Sequence, residues 1–209
     1  MSLFRGVKKG FTGSGEKRGM ECVSNHGRYS WGGYIAKTGV TVNRESALGL
    51  SAVYRAIQVL STSIASLPLN VYSIEDNKTK LLVDHPINVL LNRKPSALYT
   101  PFTFKQTMMV HLLVDGNCFL LKKYDEYRQL KSIKILDYRE VEVYYDDIAD
   151  IKQFTYKSQT YSQEEIIHIV GMGFDGLMGK SPISVARDNI GLSLASQQYG
   201  ESVFKNGVF

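Results

Sequence analysis

Residues 118–170 read CFLLKKYDEYRQLKSIKILDYREVEVYYDDIADIKQFTYKSQTYSQEEIIHIV, and this stretch decides the fold. Five runs in it are rich in β-branched and aromatic residues: Cys118 to Tyr124, Leu130 to Leu136, Val141 to Tyr145, Ile151 to Tyr156 and Ile166 to Val170. Polar turn-like pieces, such as Asp146-Asp147 and Lys157-Ser158-Gln159, separate them. Strands joined by such short turns pair antiparallel, because a parallel pair needs a crossover of a dozen or more residues.

Helical patterns flank this run. Asn43 reads as an N-cap with Glu45 just inside the helix start. Leu48, Ala52, Ala56, Leu60, Ile64 and Leu67 then recur at steps of four and three, and Val53 and Ile57 widen the stripe. The spacing predicts one long amphipathic helix that buries this face and ends at Pro68. Leu69 to Ile74 and Lys80 to Val83 read as two strands around a polar turn at Glu75 to Lys78. His85-Pro86 opens a short helix over Ile87 to Leu91, followed by a loop from Asn92 to Ser96. Thr100-Pro101 opens another over Phe102 to Val114, with Phe104, Met108, His111 and Leu112 on one face and Gly116 as its left-handed stop. After the strands comes a Gly-rich loop, Gly171 to Ser181. Pro182 starts a last helix carrying Ile183, Ala186, Ile190 and Leu194 in register, closed by Asn206-Gly207. Helices around short-linked strands predict an α+β fold, a mainly antiparallel sheet flanked by helices.

Of 209 residues, 44% are hydrophobic and 22% charged, so the chain can bury a core without disulfides or metal. Two cysteines, Cys22 and Cys118, exclude a disulfide scaffold and a Cys-rich zinc site. No apolar run is long enough to span a bilayer and no signal-peptide pattern opens the chain, so a soluble protein of a reducing cytoplasm is expected. The net charge of +5 is lopsided. Residues 1–44 carry eight Lys/Arg and two acids, whereas residues 45–209 carry 17 bases and 18 acids. Residues 1–41 are rich in Gly, Ser, Lys and Arg without period, which predicts a basic, disordered arm ahead of an ordered domain over 42–209. Such an arm fits a polyanion such as nucleic acid, or simply a solvated terminus.

The loop Gly173-Phe-Asp-Gly-Leu-Met-Gly179-Lys180-Ser181 is the one motif that suggests catalysis. A phosphate-binding loop needs G-x-x-x-x-G-K-[ST]. Here one residue too many separates Gly173 from Gly179, position 174 is Phe, and Pro182 removes an N–H donor at the helix start. The expected reading is a helix N-cap at Ser181 after a loop. His26, His85, His111 and His168 show no metal spacing and read as structural histidines. Asp137, Glu140, Glu142, Asp146, Asp147 and Asp150 read as a solvated sheet edge, and Cys118 has no base near it in sequence. No catalytic, cofactor-binding or metal-binding residue is therefore assigned.

The order of these segments resembles the portal proteins of tailed bacteriophages, of the long non-contractile-tailed type. The residues that carry the likeness are Ser51 to Ile57, Ile64 to Tyr72 around Leu67-Pro68-Leu69, His85-Pro86, Leu90-Leu91, Lys94-Pro95, Thr100, Phe104 and Gly116-Asn117-Cys118-Phe119. Ile167-His168-Ile169, Asp175-Gly176, Gly179 to Ile183, Ala186-Arg187, Tyr199 and Phe204 to Gly207 complete it. The resemblance implies a non-enzymatic subunit without cofactor, with a portal wing-like fold. It implies a dodecameric ring of identical subunits at one capsid vertex, in the host cytoplasm during assembly and then in the virion. Double-stranded DNA passes through such a ring, and its partners are capsid and scaffold proteins, the large terminase and head–tail connector proteins. Family members continue past the Asn-Gly segment, so the chain corresponds to the wing, with stem, clip and crown outside it. Such a piece is expected as monomers or small oligomers in dilute solution. The rival readings are a small basic-armed nucleic-acid-binding module and a nucleotide-binding enzyme using Gly171 to Ser181.

Overall fold

The computed structural model describes residues 20–22, 34–75, 78–174 and 176–207. In chain order the elements begin with β1 (Met20–Cys22), β2 (Tyr34–Ile35), β3 (Thr41–Val42), α1 (Arg44–Gly49) and α2 (Ser51–Ser66). Then come β4 (Tyr72–Glu75), β5 (Lys78–Leu81), α3 (Pro86–Arg93), α4 (Pro101–Asp115), β6 (Asn117–Tyr124) and β7 (Leu130–Leu136). The chain continues through β8 (Val141–Asp146), β9 (Ile151–Tyr156), β10 (Gln159–Ser162), β11 (Ile166–Val170), α5 (Pro182–Val185) and α6 (Arg187–Asn206).

Alternation along β6 sets the layers. Successive strand residues face opposite sides, so Phe119 and Leu121 point one way while Cys118 and Leu120 point the other. Antiparallel pairing of β11, β6 and β7 makes a three-stranded sheet, and β1, β8, β9 and β10 make a four-stranded one, also antiparallel. Phe119, Leu121, Leu136 and Ile166 pack against Val141, Val143, Phe154 and Tyr156 between the two sheets. The other face of the three-stranded sheet, Cys118, Leu120, Ile133 and Ile135, packs on Phe104, Met108 and Leu112 of α4 and on Leu90 and Leu91 of α3. A third cluster joins α1, α4, α5 and α6 to the β2–β3 hairpin through Ala47, Val114, Ile183, Ile190, Ala36 and Val42. The α+β class with antiparallel strands and flanking helices is as the sequence indicates, but the strands form two main sheets rather than one.

Local signals hold at the caps. Thr100 and Thr103 form a reciprocal capping box at the start of α4, Asn43 and Ser46 form another at α1, and Gly116 takes φ 76 after α4. Four expectations about element bounds need correction. The long helix is two: Leu50 leaves helical geometry (φ −75, ψ 118), and its N–H turns back to the Ala47 carbonyl. Residues 69–71 are not strand, because the Asn88 side chain accepts the Val71 N–H at 3.1 Å and Asn92 donates to the Leu69 carbonyl at 2.9 Å, tying this segment to α3. The pieces around Lys157-Ser158 form a tight hairpin, with φ 48 and 64 at those residues, and Gln159 opens the extra strand β10. The last helix is likewise stepped at Ala186, between α5 and α6.

Order reaches further toward the N-terminus than Asn43. Met20–Cys22 pairs with Asp146 to Tyr144 of β8, and Ala36 is buried against α6. The rest of the expected arm, residues 1–19 and 23–33, lies outside the described residues.

The face of α2 is the largest departure. The residues that meet α4 are the fully buried Ser61 and Ala65 with half-buried Val53 and Ile57, while Ala52, Ala56, Leu60, Ile64 and Leu67 lie toward solvent. Small side chains at Ser61 and Ala65 let the two helices approach closely, and Lys105 of α4 caps the Leu67 carbonyl at the end of α2. Two substitutions separate the expected and observed faces at low micromolar concentration. Ala65→Leu should overpack the α2–α4 contact and cost about 1–3 kcal/mol in urea unfolding, whereas Leu60→Ala should stay within about 0.5 kcal/mol of wild type. The reverse order would mean that α2 is rotated from its observed orientation.

Candidate functional site

The geometry of Gly171 to Ser181, the loop with nucleotide-like spacing, follows from the end of α4. Gly116 adopts the left-handed conformation that turns the chain from α4 into β6, and a Cβ there would sit 2.5 Å from the Lys180 carbonyl carbon. Gly179 passes so close that a Cβ would collide with the Gly116 carbonyl oxygen. Two glycines thus let the loop backbone lie directly on the α4–β6 corner.

Asn117, fully buried at the head of β6, bonds the crossing together. Its Oδ1 accepts the Gly179 N–H at 2.8 Å and its Nδ2 donates to the Gly179 carbonyl at 2.8 Å. Around it, the Gly171 N–H donates to the Gly116 carbonyl at 2.8 Å and the Lys180 N–H to the Met172 carbonyl at 2.7 Å. The Ser181 hydroxyl donates to the Val114 carbonyl and accepts the Ser184 N–H as the cap of α5. The Lys180 ammonium lies 4.4 Å from the centre of the Phe174 ring. A phosphate cradle presents free N–H groups, a reaching lysine and a free hydroxyl. Here the Gly171, Gly179 and Lys180 amides are donated within the protein, the hydroxyl is committed, and the lysine rests on an aromatic ring.

His168 completes the crossing. Its Nε2 lies 3.0 Å from Asn117 Oδ1, and its ring stacks on Phe119 with centroids 4.3 Å apart. Since Oδ1 is an acceptor, Nε2 carries the proton. Burial, with Lys152 adding repulsion, pushes the ring down to about 3, so it is neutral at ordinary pH. Its Nδ1 is buried without a hydrogen-bond partner among the described residues. Sequence reasoning gave Asn117 no role beyond its place in the resemblance. The available signal was a polar side chain opening an otherwise apolar strand immediately after a left-handed glycine.

The other candidates scatter. His85 Nδ1 accepts the Ile87 N–H as the cap of α3, and His26 lies outside the described residues. Asp137 is bound by the Arg139 guanidinium, which holds its carboxyl down at about 2. Glu140 pairs with Lys157 at 3.4 Å, Glu142 accepts from the Tyr144 hydroxyl, and Asp146 caps the Ile148 and Ala149 amides. Asp150 accepts from the Tyr145 hydroxyl at 2.9 Å. These acids occupy a corner, the second strand of a four-stranded sheet and a hairpin turn, rather than a sheet edge. Burial pushes the Cys118 thiol up to about 12. Among the described residues no group of three or more His, Cys, Asp or Glu could hold a metal, and no helix is long and apolar enough to cross a membrane.

One further charged cluster ties α1 to α4. The Arg44 guanidinium is ion-paired with Asp115, and His111 Nδ1 lies 3.7 Å from the same carboxylate. Burial outweighs Arg44 and raises Asp115 to about 6, while burial and Arg44 lower His111. A shallow pocket of about 300 Å³ lies beside it, lined by Arg44, Leu48, Gln106, Thr107, Val110 and His111. With its cation and carboxylate bound to each other, the cluster works as a clasp between the first helix and the α4–β6 corner.

These features define an α+β module whose glycine-rich loop is a structural crossing. The profile of the phage portal protein family matches residues 51–209, and the chain belongs to that family. It is 31% identical to a probable portal protein of Streptomyces phage phiC31 over 84% of this chain and 41% of that protein. It is 30% identical to the portal protein of Enterobacteria phage HK97 over 88% of this chain and 44% of that one. The chain thus spans less than half the length of these curated relatives. Among solved structures, the neck of an empty gene transfer agent particle, computed with sixfold cyclic symmetry, has a similar fold. The TM-score is 0.64 at 18% identity, over 79% of this chain and 45% of that one.

The crossing makes a pH prediction. His168 sits at about 3 in the fold against 6.5 free, so its contribution is complete above 6.5 and lost as pH falls toward 3. Asp115 runs the other way: raised from 3.8 to about 6, it favours the fold below 3.8 and loses that as pH rises through 6. Between about pH 4 and 6 these two slopes oppose each other and nearly cancel, and His111, which burial and Arg44 also lower, tips the balance, so thermal stability should climb toward pH 6.5. His168→Gln keeps a donor for Asn117 without titrating, and its midpoint should be flat or falling over that window. A variant with the wild-type slope would show that the ring is not held neutral by the fold.

Proposed function

We propose that this chain is the outer, wing portion of a portal subunit of the long non-contractile-tailed phage type, with a structural and not a catalytic role. The observation that carries the reading is the likeness to two phage portal proteins over more than four fifths of the chain. In this reading identical subunits form a ring, dodecameric when mature, at one vertex of the capsid, assembled in the host cytoplasm. Double-stranded DNA enters and leaves through it, and terminase, capsid, scaffold and connector proteins dock on it. The cyclic symmetry used for the neck of the gene transfer agent supports a ring arrangement. The geometry of the Gly171 to Ser181 crossing supports a structural role for the motif that most resembles a nucleotide site.

Two experiments test this. Deleting the reading frame that contains this chain from its phage or prophage should give heads without packaged DNA, restored by supplying the gene in trans. DNA-filled heads in the deletion would contradict the portal reading. Calorimetric titration of Mg-ATP into the protein should show no binding at about 1 mM. Micromolar binding that disappears in Lys180→Ala would contradict the structural reading of the loop.

A further inference from the structure

We infer that the outward face of α2 is a contact surface for a second copy of this chain. Ala52, Ala56, Leu60, Ile64 and Leu67 make the most regular apolar stripe in the sequence, yet they lie away from α4. Leu60 is 51% exposed and Leu67 56%. Val59 lies on the same side, and beyond Pro68 Leu69, and Tyr72 of β4, are exposed as well. The apolar arc of α2 is much wider than the face that meets α4, and the excess is of the kind that another surface covers.

Composition and area say what covers it. The 16 residues of α2 hold a single charge, Arg55. Loss of charge from an exposed element is the mark of an interface core, and the most apolar interfaces are those between permanent copies of one chain. The exposed apolar side chains from Ala52 to Tyr72 present on the order of 500 Å², at the top of the range for a monomer's largest patch and over half of the ~800 Å² per partner in a stable complex. With 17 bases and 18 acids over residues 45–209, the body has no charge repulsion to oppose self-association. Nucleic acid does not suit α2, whose 16 residues offer phosphates one guanidinium, that of Arg55.

This rests on the ring reading above and deepens it. A ring joins one face of each subunit to a different face of the next, and the α2 surface supplies one of the two. A groove of about 280 Å³ runs between α2 and α6, lined by Leu50, Ala52, Val53, Asn189, Ser193 and Gln197. It extends the surface toward the exposed Leu192 of α6.

The test is sedimentation of the full 209-residue chain from about 5 to 500 µM. The wild type should gain mass with concentration, and Leu60→Glu should weaken that association at least about tenfold. Ile148→Glu, at a fully exposed turn between β8 and β9, should leave it unchanged. Circular dichroism and thermal melts at 5 µM check that both variants fold, which the exposure of both sites predicts. As a second probe, amide exchange across α2 should slow as concentration rises. A wild type that stays monomeric at 500 µM overturns the inference. So does association that survives Leu60→Glu or is lost instead in Ile148→Glu, which would move the interface elsewhere. Neither result touches the portal reading, which stands or falls on DNA packaging in the deletion.

Discussion

The fold depends on one close crossing, where the backbone of the Gly171–Ser181 loop lies on the corner between α4 and β6. Steric exclusion sets it: Gly116 and Gly179 approach so closely that side chains at either would drive the two strands of backbone apart. Where the half-buried Gly171 and Gly179 cover the buried Gly116 and Asn117, polar backbone groups leave water, each costing about 1–3 kcal/mol if left unpaired. The Asn117 amide matches the loop's Gly179 N–H and carbonyl together, and the Gly116 carbonyl and Met172 carbonyl take the amides of Gly171 and Lys180. Four separate parts of the chain meet here: α4, β6, the end of β11 and the start of α5.

The crossing in turn dictates the order of layers. With β6 pinned at its first residue, its alternation sends Phe119 and Leu121 to the second sheet and Cys118 and Leu120 to the helices. Ser181, tied to Val114, sets α5 and then α6 beside α4, and these carry the cluster that holds the β2–β3 hairpin. His168 stacks on Phe119 while its Nε2–H reaches Asn117, so the inter-sheet core and the crossing share one side chain. The same motif that invites comparison with a phosphate loop is therefore filled by the protein's own amide.

Much of this was legible. Strand alternation placed β7, β9 and β11 to the residue, because turn residues bound each run on both sides. The Thr100-Pro101 start and the Gly116 stop of α4 are local signals with local causes, and both hold. Three features were not legible because they depend on distant partners. A helix whose apolar arc is wider than one contact face does not reveal which part of it meets α4, and the regular Leu60 stripe gave way to small residues at Ser61 and Ala65. Met20–Cys22 becomes a strand only because β8 offers an edge far along the chain. Asn117 carries no motif, and its role is decided by a loop about sixty residues later, at Gly179. The nucleotide-like loop is a different case: Ser181 caps α5 as its sequence indicates, but the close packing of backbone that Gly116 and Gly179 permit is visible only in three dimensions.

The most direct test of this account is native-state hydrogen exchange at the Gly171 and Gly179 amides. If Asn117 and the Gly116 carbonyl hold the crossing closed, both amides should exchange only through global unfolding, with the same denaturant dependence as Phe119 in β6. Exchange as fast as that of a solvent-facing turn, at Gly179 above all, would show an open loop with free donors and would contradict the account.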